Sequence, residues 1–118
     1  MNDEVQKRRY YRLRYPSRAM PVVRIQDELF HVSEVSEKGI RVIMNNLTTL
    51  YKGLSLTGTL SLSVDCKVPI EGAILRFDKN EVIIQLYKGP SFKHMVEQQR
   101  YIRNKYPAYF ARLRANAA

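Results

Sequence analysis

Leu54-Ser55-Leu56-Thr57-Gly58-Thr59-Leu60-Ser61-Leu62-Ser63-Val64 carries the clearest strand pattern in the chain and indicates a β fold. Apolar residues alternate with serine and threonine over its whole length, and Gly58 occupies one of the apolar positions. A two-residue period of this kind predicts a strand that buries one face and exposes the other to water. Gly58 is expected to permit a bend or a bulge in this strand.

Shorter strands are predicted on both sides of this one, because apolar runs alternate with turn signals. The runs cover residues 20–25, 29–35, 40–44, 68–77 and 82–87. The main turn signals are Gln26-Asp27-Glu28, Asp65-Cys66-Lys67 and Asp78-Lys79-Asn80-Glu81, and Gly72 marks a bulge. Six strands joined by hairpins predict a mainly β fold, an antiparallel sheet closed into a small barrel without open edges.

A helix is predicted after the last strand, which Gly89-Pro90 ends. Ser91 is in position for an N-cap, and Pro107 is expected to end or kink the helix. Apolar residues at helical spacing predict packing against the barrel: Phe92, Met95, Val96, Ile102 and Tyr106. The predicted organisation is a basic N-terminal arm (residues 1–18), the barrel (19–90) and a C-terminal helical segment (91–118).

Composition limits the classes of function. The chain of 118 residues carries a formal net charge of +9, which favours an anionic partner. One cysteine and two histidines exclude an internal disulfide and a cysteine-based zinc cluster, and no metal site is expected. No run approaches the roughly 18 apolar residues that span a bilayer, and the N-terminus has no apolar signal core. We therefore expect a cytoplasmic protein without membrane insertion.

Two short motifs carry the functional information. The first, Arg8-Arg9-Tyr10-Tyr11-Arg12, lies in residues 7–18, which contain six basic residues and no acidic one. The second is Glu34-Val35-Ser36-Glu37-Lys38-Gly39, a turn signal between two apolar runs. Together they resemble the signature of the PilZ domain family, RxxxR followed by (D/N)xSxxG, with glutamate where the family has aspartate or asparagine. The resemblance implies a six-stranded antiparallel barrel followed by a helix, a bacterial receptor module for the second messenger cyclic di-GMP, and no further cofactor.

The arginines suit both parts of that ligand. A guanidinium group can bind a phosphate with two parallel hydrogen bonds and can also match O6 and N7 of guanine. The resemblance assigns Arg8 and Arg12 to ligand binding, together with the adjacent Arg9. A second RxxxR runs from Arg14 to Arg18. The family signature commonly starts with two adjacent arginines, so Arg8-Arg9 favours the first copy.

The second motif is expected to read the other edge of guanine. A carboxylate at Glu34 can accept from guanine N1–H and from the exocyclic amine, and the Ser36 hydroxyl can add a contact nearby. Gly39 is expected to allow a positive φ and a close backbone approach. The resemblance also suggests Arg76 as a residue that stacks on a base.

Other classes of function remain open. The sequence contains no nucleophile patterned with a histidine and an acid, so we expect no enzyme. A basic barrel could instead bind RNA or single-stranded DNA, with Tyr10, Tyr11 and Tyr15 stacking on bases. A PilZ-like adaptor that binds no nucleotide and acts through protein partners is the third possibility.

The C-terminal segment is expected to contact another protein or a second copy of the chain. Its apolar residues are more numerous than a small barrel end needs, and exposed apolar surface marks interfaces. These residues are Met95, Ile102, Tyr106, Tyr109, Phe110 and Leu113.

Overall fold

The computed structural model describes residues 11–45 and 49–117, and this part of the chain folds into seven strands and two helices. The strands are β1 (Leu13–Arg14), β2 (Val22–Ile25), β3 (Glu28–Val35), β4 (Gly39–Ile43), β5 (Ser55–Ser63), β6 (Cys66–Asp78) and β7 (Glu81–Lys88). The helices are α1 (Phe92–Lys105) and α2 (Pro107–Ala117). A short 3₁₀ helix, Ser17–Ala19, lies between β1 and β2.

Strands β2 to β7 form a closed ring. The sheet order is β1-β3-β2-β5-β6-β7-β4, and an additional pairing of β3 with β4 closes it. All the pairings are antiparallel. The prediction of a six-stranded antiparallel barrel with a helical C-terminus is therefore confirmed.

Local sequence explains most of the strand ends. Gln26 and Asp27 connect β2 to β3 with φ angles of 50° and 65°, the left-handed pair that a type I′ hairpin turn requires. The turn predicted at Asp65-Cys66-Lys67 begins one residue earlier. Strand β5 ends at Ser63, and the turn falls on Val64 and Asp65. Val64 is consequently 90% exposed and does not continue the buried face of the strand.

Glycines mark two places where neighbouring strands come very close. A Cβ built on Gly58 would lie 2.4 Å from the carbonyl oxygen of Arg24 on β2, so Gly58 permits a close approach. The bulge in β5 lies between Ser61 and Ser63, not at Gly58 as predicted. At Gly72 the register of β6 against β7 does shift, as the sequence indicated.

Two residues in the described part of the predicted N-terminal arm belong to the core. Leu13 is fully buried, Tyr15 is 5% exposed, and β1 pairs with the end of β3. The expectation of an arm outside the core is therefore wrong for Leu13 and Tyr15, whereas Arg12 and Arg18 are exposed. Residues 1–10 lie outside the described part of the chain.

The C-terminal helices cover the barrel. Ser91 caps α1 as predicted, since its hydroxyl accepts from the backbone N–H of His94. Met95, Ile102 and Phe110 are buried, so they are not surplus apolar surface as the sequence suggested. Phe92, predicted to pack, is 70% exposed. Neither described helix has the length and apolar character needed to cross a membrane.

Candidate functional site

Paired residues of neighbouring strands form one continuous row across the outer face of the barrel. Arg14 pairs with Glu34, Glu34 with Arg41, Arg41 with Ile83, and Ile83 with Arg76. Directly paired residues point to the same side of a sheet, so this cross-strand row brings side chains of five strands together. Residues distant in sequence thus become neighbours on one surface.

A cavity of about 120 Å³ lies at this row. Every predicted site residue that the structure describes lines it: Arg12, Glu34, Ser36, Gly39 and Arg76. Arg8 and Arg9 lie outside the described residues, so their positions stay predictions. The lining also includes Arg41, Ile83 and Gln85, which the sequence analysis did not single out.

The β3–β4 hairpin is shaped by Ser36. Its hydroxyl donates to the carbonyl oxygen of Gly39 at 3.1 Å and accepts from the backbone N–H of Lys38 at 3.3 Å. The backbone N–H of Ser36 donates to the same Gly39 oxygen at 2.9 Å. Ser36 is only 7% exposed, and both of these hydroxyl contacts stabilise the turn itself.

Gly39 is required for close approach and not for a left-handed backbone. Among the described residues Gly53 is the glycine with a positive φ, so the expected positive φ at Gly39 is wrong. A Cβ on Gly39 would lie 3.3 Å from the carbonyl oxygen of Ile84, which is tighter than an ordinary contact. The glycine therefore lets β4 lie close to β7 beneath the cavity.

Glu34 is held by an arginine of β1. Its carboxylate lies 3.9 Å from Nε of Arg14, and its side chain is 19% exposed. From the sequence alone, Arg14 had no expected role beyond the second RxxxR. The structure shows that Arg14 faces the carboxylate expected to read guanine.

Arg41 anchors a charged network at the wall of the cavity. Its guanidinium group donates to Glu81 at 2.7 Å and to Asp78 at 3.1 and 3.2 Å. Glu81 also accepts from the Ser33 hydroxyl at 2.8 Å. Burial alone would raise the pKa of Glu81, but the hydrogen bonds from Ser33 and Arg41 and the charge of Arg41 lower it. Three of the five N–H donors of Arg41 are therefore engaged, and its charge is paired with two carboxylates.

Two other arginines of the cavity are available for an anion. Arg12 and Arg76 are exposed, and neither forms a hydrogen bond or ion pair with another described residue. Their guanidinium groups can bind phosphate or stack on a planar base. The cavity itself is smaller than the roughly 300–1,000 Å³ of pockets that enclose whole ligands. A dinucleotide could place only part of itself inside, with the rest lying over the outer face.

A larger cavity, about 550 Å³, lies between α1 and the β5–β6 hairpin. Its lining is mostly apolar and includes Met20, Leu62, Val64 and Tyr101. Among the described residues that line it, Glu97 is the only Asp, Glu, Lys or Arg. Because its described lining includes neither lysine nor arginine, this cavity is a poor candidate for an anionic ligand.

Comparisons with known proteins agree with the fold. Residues 6–105 match the family model described as the PilZ domain. Among solved structures, the chain is similar to the inhibitor of motility MotI/DgrA of Bacillus subtilis, with 20% sequence identity and a TM-score of 0.63. The match covers 85% of this chain and 52% of MotI/DgrA, so the chain spans about half the length of that protein. A search of curated protein sequences found no match.

Proposed function

The chain belongs to the PilZ domain family, a family of cyclic di-GMP receptor modules that are generally not catalytic, and we propose that it binds cyclic di-GMP at the cavity on the cross-strand row. The observation that carries this proposal is the convergence of the two motifs. Arg12 comes from the first motif and Glu34 from the second, and both line one cavity. Arg76, which the family resemblance suggested from outside the two motifs, lines the same cavity.

Each residue has a distinct proposed role. Arg12, with Arg8 and Arg9 before it, binds the phosphates through charge-assisted hydrogen bonds. Glu34 accepts from guanine N1–H and from its amine, and Arg76 stacks on a base. Ser36 and Gly39 keep the hairpin in the shape that presents Glu34.

Calorimetry tests this proposal directly. Cyclic di-GMP should bind saturably, while GTP and cyclic AMP should bind far more weakly. Arg12→Ala should lose about ten- to a hundredfold in affinity, since a hydrogen bond to a charged group contributes roughly 1.5–3 kcal/mol. Arg18→Ala is the matched control, because Arg18 is exposed and does not line the cavity. An absence of heat at high micromolar ligand would leave the adaptor that binds no nucleotide as the better description.

The structure weighs against the RNA-binding alternative in one respect. Base stacking was expected from Tyr10, Tyr11 and Tyr15, but Tyr15 is buried and its hydroxyl donates to Gln98. Tyr10 lies outside the described residues, whereas Tyr11 is 45% exposed. The stacking surface of this stretch is thus smaller than the sequence suggested.

A protein partner remains part of the proposal. We propose that a bacterial cytoplasmic receptor of this kind passes its signal through the C-terminal helices, where Phe92 is 70% exposed and Tyr101 is 43% exposed. These aromatic rings replace the buried residues that the sequence analysis had assigned to the interface. Light scattering of the parent chain and of Phe92→Ser will show whether the chain associates with itself through this surface.

A further inference from the structure

We propose that Gln85 determines the base specificity of this site, its side-chain amide donating to O6 of a guanine base. This inference rests on the proposed binding of cyclic di-GMP. It adds a residue that belongs to neither sequence motif. Gln85 lies on β7 and lines the same cavity as Arg12 and Glu34.

The neighbours of Gln85 leave its side chain uncovered. Gln85 pairs with Gly39 on β4 and with Ala73 on β6. It lies two residues beyond Ile83, so it is on the same outer face as the cross-strand row. Because a glycine and an alanine flank it, Gln85 stands in a low part of the surface over which a flat base can lie.

The amide of Gln85 is also available. Gln85 is exposed and forms no hydrogen bond or ion pair with another described residue. Two other polar groups of the lining already have partners. The guanidinium group of Arg41 is paired with Asp78 and Glu81. The Ser36 hydroxyl is engaged as well, within its own turn. Gln85 is therefore a neutral donor that a ligand can reach without breaking an existing contact.

Chemistry explains why the site needs such a group. The edge of guanine presents two donors, N1–H and the amine, beside the acceptor O6. An ionised Glu34 accepts from the donors but has no hydrogen to give to O6. Adenine carries an amine where guanine has O6, so a donor at this place favours guanine. Gln85 supplies that donor, and the pair of side chains then matches the whole edge.

The test compares cyclic di-GMP with cyclic di-AMP in competition against a fluorescent cyclic di-GMP. Gln85→Ala should lower the affinity for cyclic di-GMP about three- to tenfold, the range of one neutral hydrogen bond. Gln85→Glu places an acceptor against O6 and should lower the cyclic di-GMP to cyclic di-AMP affinity ratio further. Both ligands carry the same charge, so the ratio cancels the repulsion that the new carboxylate exerts on the phosphates.

Gln99→Ala is the matched control, because Gln99 lies on α1 and does not line the cavity. Thermal unfolding should show that all the variants fold, since Gln85 is exposed. If the parent chain binds cyclic di-GMP and Gln85→Ala keeps both its affinity and its ratio, this inference is overturned while the proposed function stands. If the parent chain does not bind cyclic di-GMP, both are overturned.

Discussion

At the scale of single residues, Glu34 has two competing partners. Its carboxylate faces Arg14 at 3.9 Å, and the proposed function requires it to accept hydrogen bonds from guanine. Glu34→Asp should keep or improve cyclic di-GMP binding, because it restores the residue common in the family. Glu34→Ala should weaken binding by roughly 1–3 kcal/mol, the cost of leaving buried donors without a partner. Glu34→Gln should be intermediate or worse, since its amide presents a donor to the donors of guanine.

Calorimetry on these three variants will decide the role of Glu34. Glu37→Ala is the matched control, because Glu37 lies in the same hairpin but does not line the cavity. Should Glu34→Ala bind as tightly as the parent chain, Glu34 serves the ion pair with Arg14 and does not read the ligand.

Glu81 gives a prediction about acid stability. Its pKa is lowered from an ordinary value of 4.5, so the folded state favours the ionised carboxylate. A lowered pKa stabilises the fold above that ordinary value, and the stabilisation is lost as the pH falls through the lowered pKa. The free energy of unfolding should therefore decrease as the pH falls below about 4.5. Urea unfolding at several pH values should show a smaller decrease for Glu81→Gln, and an equal decrease would mean that other carboxylates carry it.

At the scale of elements, one buried hydrogen bond joins β1's end to α1. The Tyr15 hydroxyl donates to Oε1 of Gln98 at 2.8 Å, and both residues are buried. Tyr15→Phe removes the donor and leaves the Gln98 oxygen without it, so unfolding should become easier by about 1–3 kcal/mol. Tyr87→Phe is the control, because Tyr87 is 68% exposed. Equal stabilities of the two variants in urea would show that this contact does not hold the helix to the barrel.

The same phenol predicts a loss of stability in alkali. Burial raises the pKa of Tyr15 above its ordinary value of 10.0, and the nearby Cys66 and Tyr11 act in the same direction. A raised pKa stabilises the fold below the ordinary value, and this contribution is lost as the pH rises above it. Thermal unfolding temperatures measured from neutral pH to above pH 10 should fall more for the parent chain than for Tyr15→Phe.

The elements also show what the sequence could and could not predict. The period of Leu56, Leu60 and Leu62 identified the longest regular strand signal because one face of β5 is buried. The burial of Leu13 and Tyr15 was missed, since a two-residue strand within a basic stretch has no detectable period. A two-residue period indicates a buried face only when it repeats several times along the strand.

The arrangement of the site depended on strand register. Arg76 of β6 is paired with Ile83 of β7. The register of these two strands shifts twice, at Glu71/Gly72 and at Ile74/Arg76. A one-residue slip would turn a side chain to the other face of the sheet. The motifs therefore predicted residues that line the candidate cavity, but the cross-strand row and the place of Gln85 beside it required the structure.

At the scale of the whole molecule, positive charge is spread unevenly. The stretch from Phe92 to Ala117 contains six Lys or Arg residues and one Glu, so it holds more than half of the net charge of +9. Several of these cations are exposed, away from the candidate cavity: Lys93, Arg100, Arg103, Lys105 and Arg112. A polyanion could neutralise many of them together, whereas a ligand in the cavity would meet Arg12 and Arg76.

Salt dependence separates these two modes of binding. Each phosphate that is neutralised releases counterions. The logarithm of the binding constant therefore falls linearly with the logarithm of the salt concentration, and the slope grows with the number of phosphates bound. Cyclic di-GMP has two phosphates, and its affinity should decrease only shallowly as the salt concentration rises. A single-stranded RNA oligomer, if it binds, should lose affinity steeply, and Arg100→Ala should reduce that steepness without changing cyclic di-GMP binding. A decrease for cyclic di-GMP as steep as for RNA would contradict a defined site, because it would mean that the ligand senses the diffuse charge of the helices and not the two arginines of the cavity.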